Sequence, residues 1–145
     1  MLDLVLAIGH HVLIFGIFGV LFAEFWVLRP GMSSATAARL ASIDSWYGAF
    51  AGAVVIIGFC RAIFAAKGWL YYSHNAFFWA KMGCFAGVGL LSIRPTIEFI
   101  RWRRAARAPD DAAIRTMRRY LHWELALFAL LPVFAAAMAR GYGEW

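Results

Sequence analysis

Four long apolar segments constrain this sequence more than any other feature. They cover about residues 2–28, 45–66, 76–100 and 120–139. Each is long enough to cross the hydrocarbon core of a bilayer, which takes about 20 apolar residues in a helix. Because lipid cannot satisfy free backbone groups, such segments must be helical. The pattern predicts an all-α membrane protein, an up-down-up-down bundle of four transmembrane helices forming a single domain over residues 1–145.

Polar residues mark where the predicted helices begin and end. Ser33 or Ser34 is suited to cap a short amphipathic helix that runs into the second span. Lys67 and Gly68 end that span. Residues 101–119 are rich in arginine and form a predicted helical projection from the membrane, turning near residue 109. Asp110 or Asp111 caps the helix that follows the turn.

The distribution of lysine and arginine predicts the orientation. Ten of the 14 lie on the side of the first and third loops, and four lie on the other side. Since basic residues concentrate on the cytoplasmic side, the arginine-rich projection is expected in the cytoplasm and both termini outside it. The predicted location is a bacterial inner membrane. The basic residues cluster beside apolar spans, which indicates contact with anionic lipid rather than with nucleic acid.

Polar residues within the spans sort into two predicted layers. Ionisable groups in a membrane are costly and usually face the bundle interior or water. The extracytoplasmic layer contains His10, Arg61, His74, Trp79, Lys81 and Arg140. The cytoplasmic layer contains Glu24, Asp44, Arg94, Glu98, His122 and Glu124. The balance of acids and bases in the second layer predicts an interhelical ion network, with a proton path or a second cofactor site as the alternative.

Helical periodicity predicts which faces pack together, since positions seven apart nearly superpose at about 100° per residue. In the first span His10 and Glu24 share a line, and in the second Tyr47, Val54 and Arg61 do. The predicted seam of the third span is His74, Phe78, Lys81, Phe85, Val88, Ser92 and Pro95. That of the fourth is His122, Ala126, Ala129, Val133, Ala136 and Arg140.

The extracytoplasmic layer has residue types that suit haem or copper. Neutral imidazole, as in His10, is an axial ligand for haem iron and a ligand for copper. Haem propionates need cationic partners, for which Arg61 and Lys81 are suited. Phe78 and Trp79 could pack against a porphyrin face. The alternative is that His10 is a hydrogen-bonded interior histidine and that the two cations extend to the interface.

His10, Arg61 and the run from Phe78 to Lys81 resemble a superfamily of small bacterial membrane proteins. It includes HemJ-type protoporphyrinogen oxidases and CopD-type copper-resistance proteins, and the chain is most similar to a branch of small four-helix members. The resemblance implies haem b, with catalytic roles for Lys81 and Arg61 and a contribution from Trp79. One departure is that one residue separates Trp79 from Lys81, where the HemJ pattern has two.

Three functions are compatible with these residues. The first is a haem b protein with a redox or porphyrin-related role, as an oxidoreductase acting on a porphyrin or a quinone, with His10 as ligand and His74 or Met82 opposite. The second is a copper-handling protein with His10, His11 and His74 as metal ligands. The third is a non-catalytic membrane subunit or assembly factor that binds a membrane partner or forms a homo-oligomer.

Overall fold

A computed structural model describes residues 1–64 and 68–145, and these residues are almost entirely helical, with no strand among them. The helices are α1 (Leu2–Val27), α2 (Ser34–Phe64), α3 (Gly68–Ser73), α4 (Ala76–Ala105), α5 (Asp111–Phe128) and α6 (Leu130–Ala139). Within the described residues, four helical stretches are long and apolar enough to cross a membrane: α1, α2, α4, and α5 together with α6. The predicted all-α fold with four membrane-spanning helices is confirmed.

The four stretches form a ring in which each packs against two neighbours. α1 contacts α2 and α5, and α4 contacts α2, α5 and α6. In the described part of the chain, α1 and α4 have no Cα atoms within 8 Å of each other, and neither do α2 and α5. Both termini lie at one end of this bundle, which we call the terminal end. The turn between α4 and α5 lies at the other, which we call the arginine end.

The caps of the helices follow local sequence. Ser33 accepts a hydrogen bond from the backbone of Thr36 at 3.2 Å, and the amphipathic segment and the second span form one continuous helix. Asp110 caps α5 by accepting from the backbone N–H of Ala113 at 2.7 Å. The end of the second span that was predicted at Lys67 lies outside the described residues.

The fourth span is interrupted near its middle, which the sequence prediction of one continuous helix over 120–139 did not include. α5 ends at Phe128 and α6 begins at Leu130. Pro132 has no N–H to donate to the carbonyl of Phe128 four residues earlier. The missing bond is a local cause for a break at this point.

Burial confirms the predicted packing face of the second span and, apart from the exposed His74, that of the third. Tyr47 and Val54 are buried in α2, and Phe78, Val88 and Pro95 are buried in α4. The predicted seam of the fourth span is wrong. The buried stripe there is Ile114, Met117, Leu121, Glu124, Phe128 and Leu131. It continues the amphipathic pattern of residues 111–124, whereas the purely apolar residues that follow carry no polar marker of the lipid-facing side.

The two ends of the bundle differ in how closely α1 meets the fourth span. At the arginine end, Arg118 of α5 donates to the carbonyls of Phe25 and Leu28 and lies over the Phe25 ring, 4.3 Å from its centroid. Asp111 accepts from the backbone N–H of Gly31 at 3.1 Å. Towards the terminal end, described residues of α1 and α6 have no Cα atoms within 8 Å of each other. The fourth span therefore contacts α1 through α5 at the arginine end, and the bundle is more open between α1 and α6.

Candidate functional site

Side chains from three helices converge at the terminal end around a small cavity of about 70 Å³. His10 comes from α1, Arg61 from α2, and Phe78 and Lys81 from α4. The other residues that line it are Gly58, Ala62, Tyr72 and Met138. We call this cluster the cationic site. The structure thus brings together four of the residues that the sequence singled out.

Close packing of α1 against α2 positions the His10 ring. A Cβ atom added to Gly58 would lie 3.4 Å from Cε1 of His10 and 3.8 Å from Nδ1, so the glycine leaves just enough room for the imidazole. In the described part of the chain, Nδ1 of His10 and Nε of Arg61 are buried without a hydrogen-bond partner. Buried polar atoms are rarely left unsatisfied in proteins. These two atoms therefore mark a place where water or a ligand can supply the missing hydrogen bonds.

The described residues that line the cationic site include no acidic side chain to balance its positive charges. His10 is close enough to Lys81 and Arg61 for electrostatic interaction with both. Among residues 1–64 and 68–145, the ion pair found within 4 Å joins Arg101 to Glu98, so neither Arg61 nor Lys81 has a carboxylate partner there. Unpaired cations beside a cavity attract an anionic group and offer it charge-assisted hydrogen bonds.

Aromatic side chains form the wall beside Lys81. Phe78 is buried, and Nζ of Lys81 lies 5.5 Å from the centroid of its ring. The Phe78 ring contacts the rings of Tyr72 and Trp69, with centroids 5.8 and 6.0 Å away. Apolar rings beside the lysine lower the local dielectric, which strengthens its attraction for an anion.

His74 and Trp79 lie outside the cationic site. His74 is exposed, and its Nδ1 donates to the carbonyl of Leu70 at 3.0 Å. Trp79 is also exposed, and its Nε1 donates to the carbonyl of Ser73 at 3.0 Å. Trp79 is two residues before Lys81, which places the two about 200° apart around α4. The described residues contain no group of three or more His, Cys, Asp or Glu side chains that could hold a metal ion.

Tyr72 and Met138 line the cavity with His10, although the sequence pattern does not predict them as its neighbours. Met138 is not on the predicted seam of the fourth span because that seam was rotated by one to two residues, or about 100 to 200°. The buried positions 117, 121, 124, 128 and 131 are spaced by three or four, and 138 follows seven residues after the last. Extending the amphipathic pattern of α5 through the apolar part would have found it.

The C-terminal tail fixes the start of α4, on which Phe78 and Lys81 lie. Asn75 is fully buried, and its side chain accepts from the backbone N–H groups of Phe77 and Phe78. Its amide nitrogen donates to the carbonyl of Tyr142 at 3.0 Å. The backbone N–H of Ala76 donates to the carbonyl of Gly143 at 2.8 Å. Asn75 therefore caps α4 and holds the tail against it.

The predicted ion network of the second layer is wrong. Arg94 and His122 are exposed, and Glu98 pairs with Arg101 of its own helix at 2.9 Å. Glu24, Asp44 and Glu124 are instead buried together near the arginine end. We call these acids the carboxyl layer. Arg94 is assigned to the interior by depth, and His122 by depth and by its place on the predicted seam of the fourth span, which is itself wrong.

A family model described as a predicted membrane protein family, DUF2214, matches residues 2–143 of the chain. No curated protein and no solved structure matches it.

Proposed function

The chain belongs to this DUF2214 family of membrane proteins, and we propose that it binds haem b at the cationic site and serves a redox or porphyrin-related function. The observation that carries this proposal is the convergence of His10, Arg61 and Lys81, from three different helices, on one cavity. These are also the residues through which the chain resembles HemJ-type proteins. Membership of a CopD/HemJ-like superfamily is part of the same proposal.

The side chains of the site suit the chemical groups of haem. The unpartnered Nδ1 of His10 can act as a metal ligand. Arg61 can hold a carboxylate through two parallel hydrogen bonds, and Lys81 can hold another as a point charge. Met138 offers a thioether on the wall of the same cavity. When bound, haem would supply a one-electron redox centre.

The size of the cavity limits how such a ligand can bind. Pockets for small molecules have volumes of about 300 to 1,000 Å³, and the enclosed space here is about 70 Å³. A porphyrin does not fit inside it as it stands. The wall includes His10 of α1 and Met138 of α6, two helices with no described Cα atoms within 8 Å of each other. The body of a large ligand would need that open side, with its carboxylates on Arg61 and Lys81.

The test is a haemin titration of the purified protein in lipid nanodiscs, followed by Soret absorption. We expect saturable binding to the wild-type protein and its loss in His10→Ala. His11→Ala is the matched control, because His11 is the exposed neighbour whose Nδ1 donates to the carbonyl of Ala7. Arg61→Gln and Lys81→Gln should weaken binding of haem more than binding of a porphyrin without carboxylates.

Two other outcomes would replace the proposal. No Soret band with any form of the protein, together with copper that co-purifies and is lost in His10→Ala, would favour a copper-handling protein. Neither haem nor copper, together with a stoichiometric membrane partner retained by His10→Ala and Lys81→Ala, would favour a non-catalytic subunit. Protoporphyrinogen oxidation by the haem-loaded protein would identify it as an oxidoreductase of the HemJ type.

We also infer that both termini lie on the extracytoplasmic side of a bacterial inner membrane. Support comes from the exposed arginines of the arginine end, which suit anionic headgroups and cytoplasmic retention. They are Arg101, Arg103, Arg104, Arg107, Arg115 and Arg119. Alkaline phosphatase fused after Trp145 should be active, and the same enzyme inserted at residues 106–110 should be inactive. The reverse result would invert the orientation.

A further inference from the structure

The carboxyl layer brings acidic groups of three helices into the bundle interior. Glu24 of α1, Asp44 of α2 and Glu124 of α5 are 2%, 6% and 1% exposed. They interact electrostatically with one another, and Tyr47 of α2 interacts with all three. Their burial is unusual because acids are almost never fully buried unless they are paired.

Within the part of the chain that the structure describes, the helices around the layer do not provide a basic partner. From α4, Thr96 donates to Asp44 at 2.9 Å, which is a neutral hydrogen bond. Arg94 is exposed, and Glu98 of the same helix is paired with Arg101. On α5, His122 is exposed and Arg118 is bonded to backbone carbonyls of α1.

Two oxygen atoms in the layer lack partners. Within the described residues, Oε1 of Glu24 and Oε1 of Glu124 are buried with no hydrogen-bond partner. Placing several uncompensated negative charges together in a low-dielectric interior costs far more than protein folding can supply. The described residues contain no group of His, Cys, Asp and Glu side chains arranged to hold a metal ion. The compensating charge that fits this space is the smallest one, a proton.

Aromatic residues indicate the depth of the layer. Trp26, Trp46 and Trp123 are all exposed, and each is one or two residues from an acid of the layer. Exposed tryptophans on several helices at one level are typical of a membrane interface. The layer is separated from His10 by 14 residues of α1, or about 21 Å. It therefore lies near the aqueous boundary of the arginine end, well away from the cationic site.

We propose that the carboxyl layer is a proton-binding site, in which Glu24 and Glu124 take up and release protons exchanged with water at the arginine end. In each event a proton from water forms an O–H bond to a carboxylate oxygen, and release breaks the same bond. Thr96 donates a hydrogen bond to Asp44 beside the two glutamates, and Tyr47 interacts electrostatically with all three acids. The site is independent of haem binding.

The experiment is infrared difference spectroscopy of the full-length protein in nanodiscs at neutral pH, comparing spectra recorded in H₂O and in D₂O. We expect bands of protonated carboxyl groups that shift in D₂O. Glu24→Gln and Glu124→Gln should each remove part of this signal. Glu98→Gln is the matched control, because Glu98 is ion-paired with Arg101 of its own helix, and it should leave the bands unchanged. Absence of protonated carboxyl bands, or bands that persist in Glu24→Gln and Glu124→Gln, would overturn the proposal.

Stability provides a second, independent readout. Glutamine replaces a protonated glutamate with a neutral group of similar shape, so Glu24→Gln and Glu124→Gln should fold with melting temperatures close to that of the wild type. A variant that fails to fold would mean that the carboxylate charge itself is needed, which contradicts the proposal. Loss of the bands on addition of sodium or potassium would assign the layer to a metal cation and would also overturn it.

Discussion

The cationic site and the carboxyl layer are two polar regions at opposite ends of one bundle, the first with basic and the second with acidic side chains. Both contain polar atoms without partners in the described residues. Near the cationic site, described residues of α1 and α6 have no Cα atoms within 8 Å of each other, and a cavity remains. At the arginine end, Arg118 and Asp111 bind the end of α1 and the loop after it. The packing thus leaves room for a ligand at one end, whereas the acids at the other end are enclosed.

The largest expected effect comes from filling the cavity in the cationic site. Gly58→Leu would place a branched side chain where even a Cβ atom lies 3.4 Å from the His10 ring. Haemin binding should weaken by at least about 100-fold, or about 2.7 kcal/mol, while the carboxyl infrared bands stay unchanged. Gly52→Leu on the same helix is the control, because no described residue lies within 4 Å of a Cβ atom there. Equal haemin affinity in both variants would show that haemin does not bind at this cavity.

Removing the contacts of Arg118 with α1 at the arginine end should have the next largest effect. Arg118→Ala loses charge-assisted hydrogen bonds to the carbonyls of Phe25 and Leu28 and the contact with the Phe25 ring. We expect the free energy of unfolding to fall by about 2–3 kcal/mol. The measurement is chemical denaturation in mild detergent, with the exposed Arg119→Ala as control. Similar losses of unfolding free energy in both variants would mean that Arg118 stabilises the protein through its positive charge and not through its contacts with α1.

Releasing the cap of α4 should destabilise the terminal end by a smaller amount. Asn75→Ala removes the acceptor for Phe77 and Phe78 and the donor to Tyr142. Loss of an N-cap costs about 1–2 kcal/mol. Hydrogen exchange should rise at the start of α4 and in the tail, and haemin affinity should fall because Lys81 lies on that part of α4. Asp110→Ala, which uncaps α5 at the other end, should leave haemin affinity unchanged.

The smallest effect is expected within the carboxyl layer. Thr96→Val removes one hydrogen bond to Asp44 while it preserves the shape of the side chain. The cost should be about 1 kcal/mol, measured by the same denaturation assay. Thr116→Val is the control, since Thr116 is exposed and donates to a carbonyl of its own helix. A gain in stability would mean that Asp44 is better satisfied without the hydroxyl group, contrary to the hydrogen bond described above.

The residues of the cationic site show which members of a site can be predicted from sequence patterns. His10, Arg61 and Lys81 can be selected because polar residues in apolar helices are conspicuous, and Phe78 because it shares the predicted packing face of Lys81. His74 and Trp79 have equally suitable chemistry, but hydrogen bonds to nearby carbonyls hold them at the surface. Met138 was missed because the apolar half of the fourth span has no polar residue to reveal its inner face.

The sequence by itself determined the number of membrane-spanning helices and the faces on which the second and third pack. These follow from hydrophobic length and from period, both of which are local properties of the chain. Only the tertiary structure decided which groups meet across helices: that Glu24, Asp44 and Glu124 are buried together without arginine, and that Arg118 reaches α1. The reason is that interhelical contacts depend on how each helix is rotated, and a rotation of one residue moves a side chain from the interior to lipid.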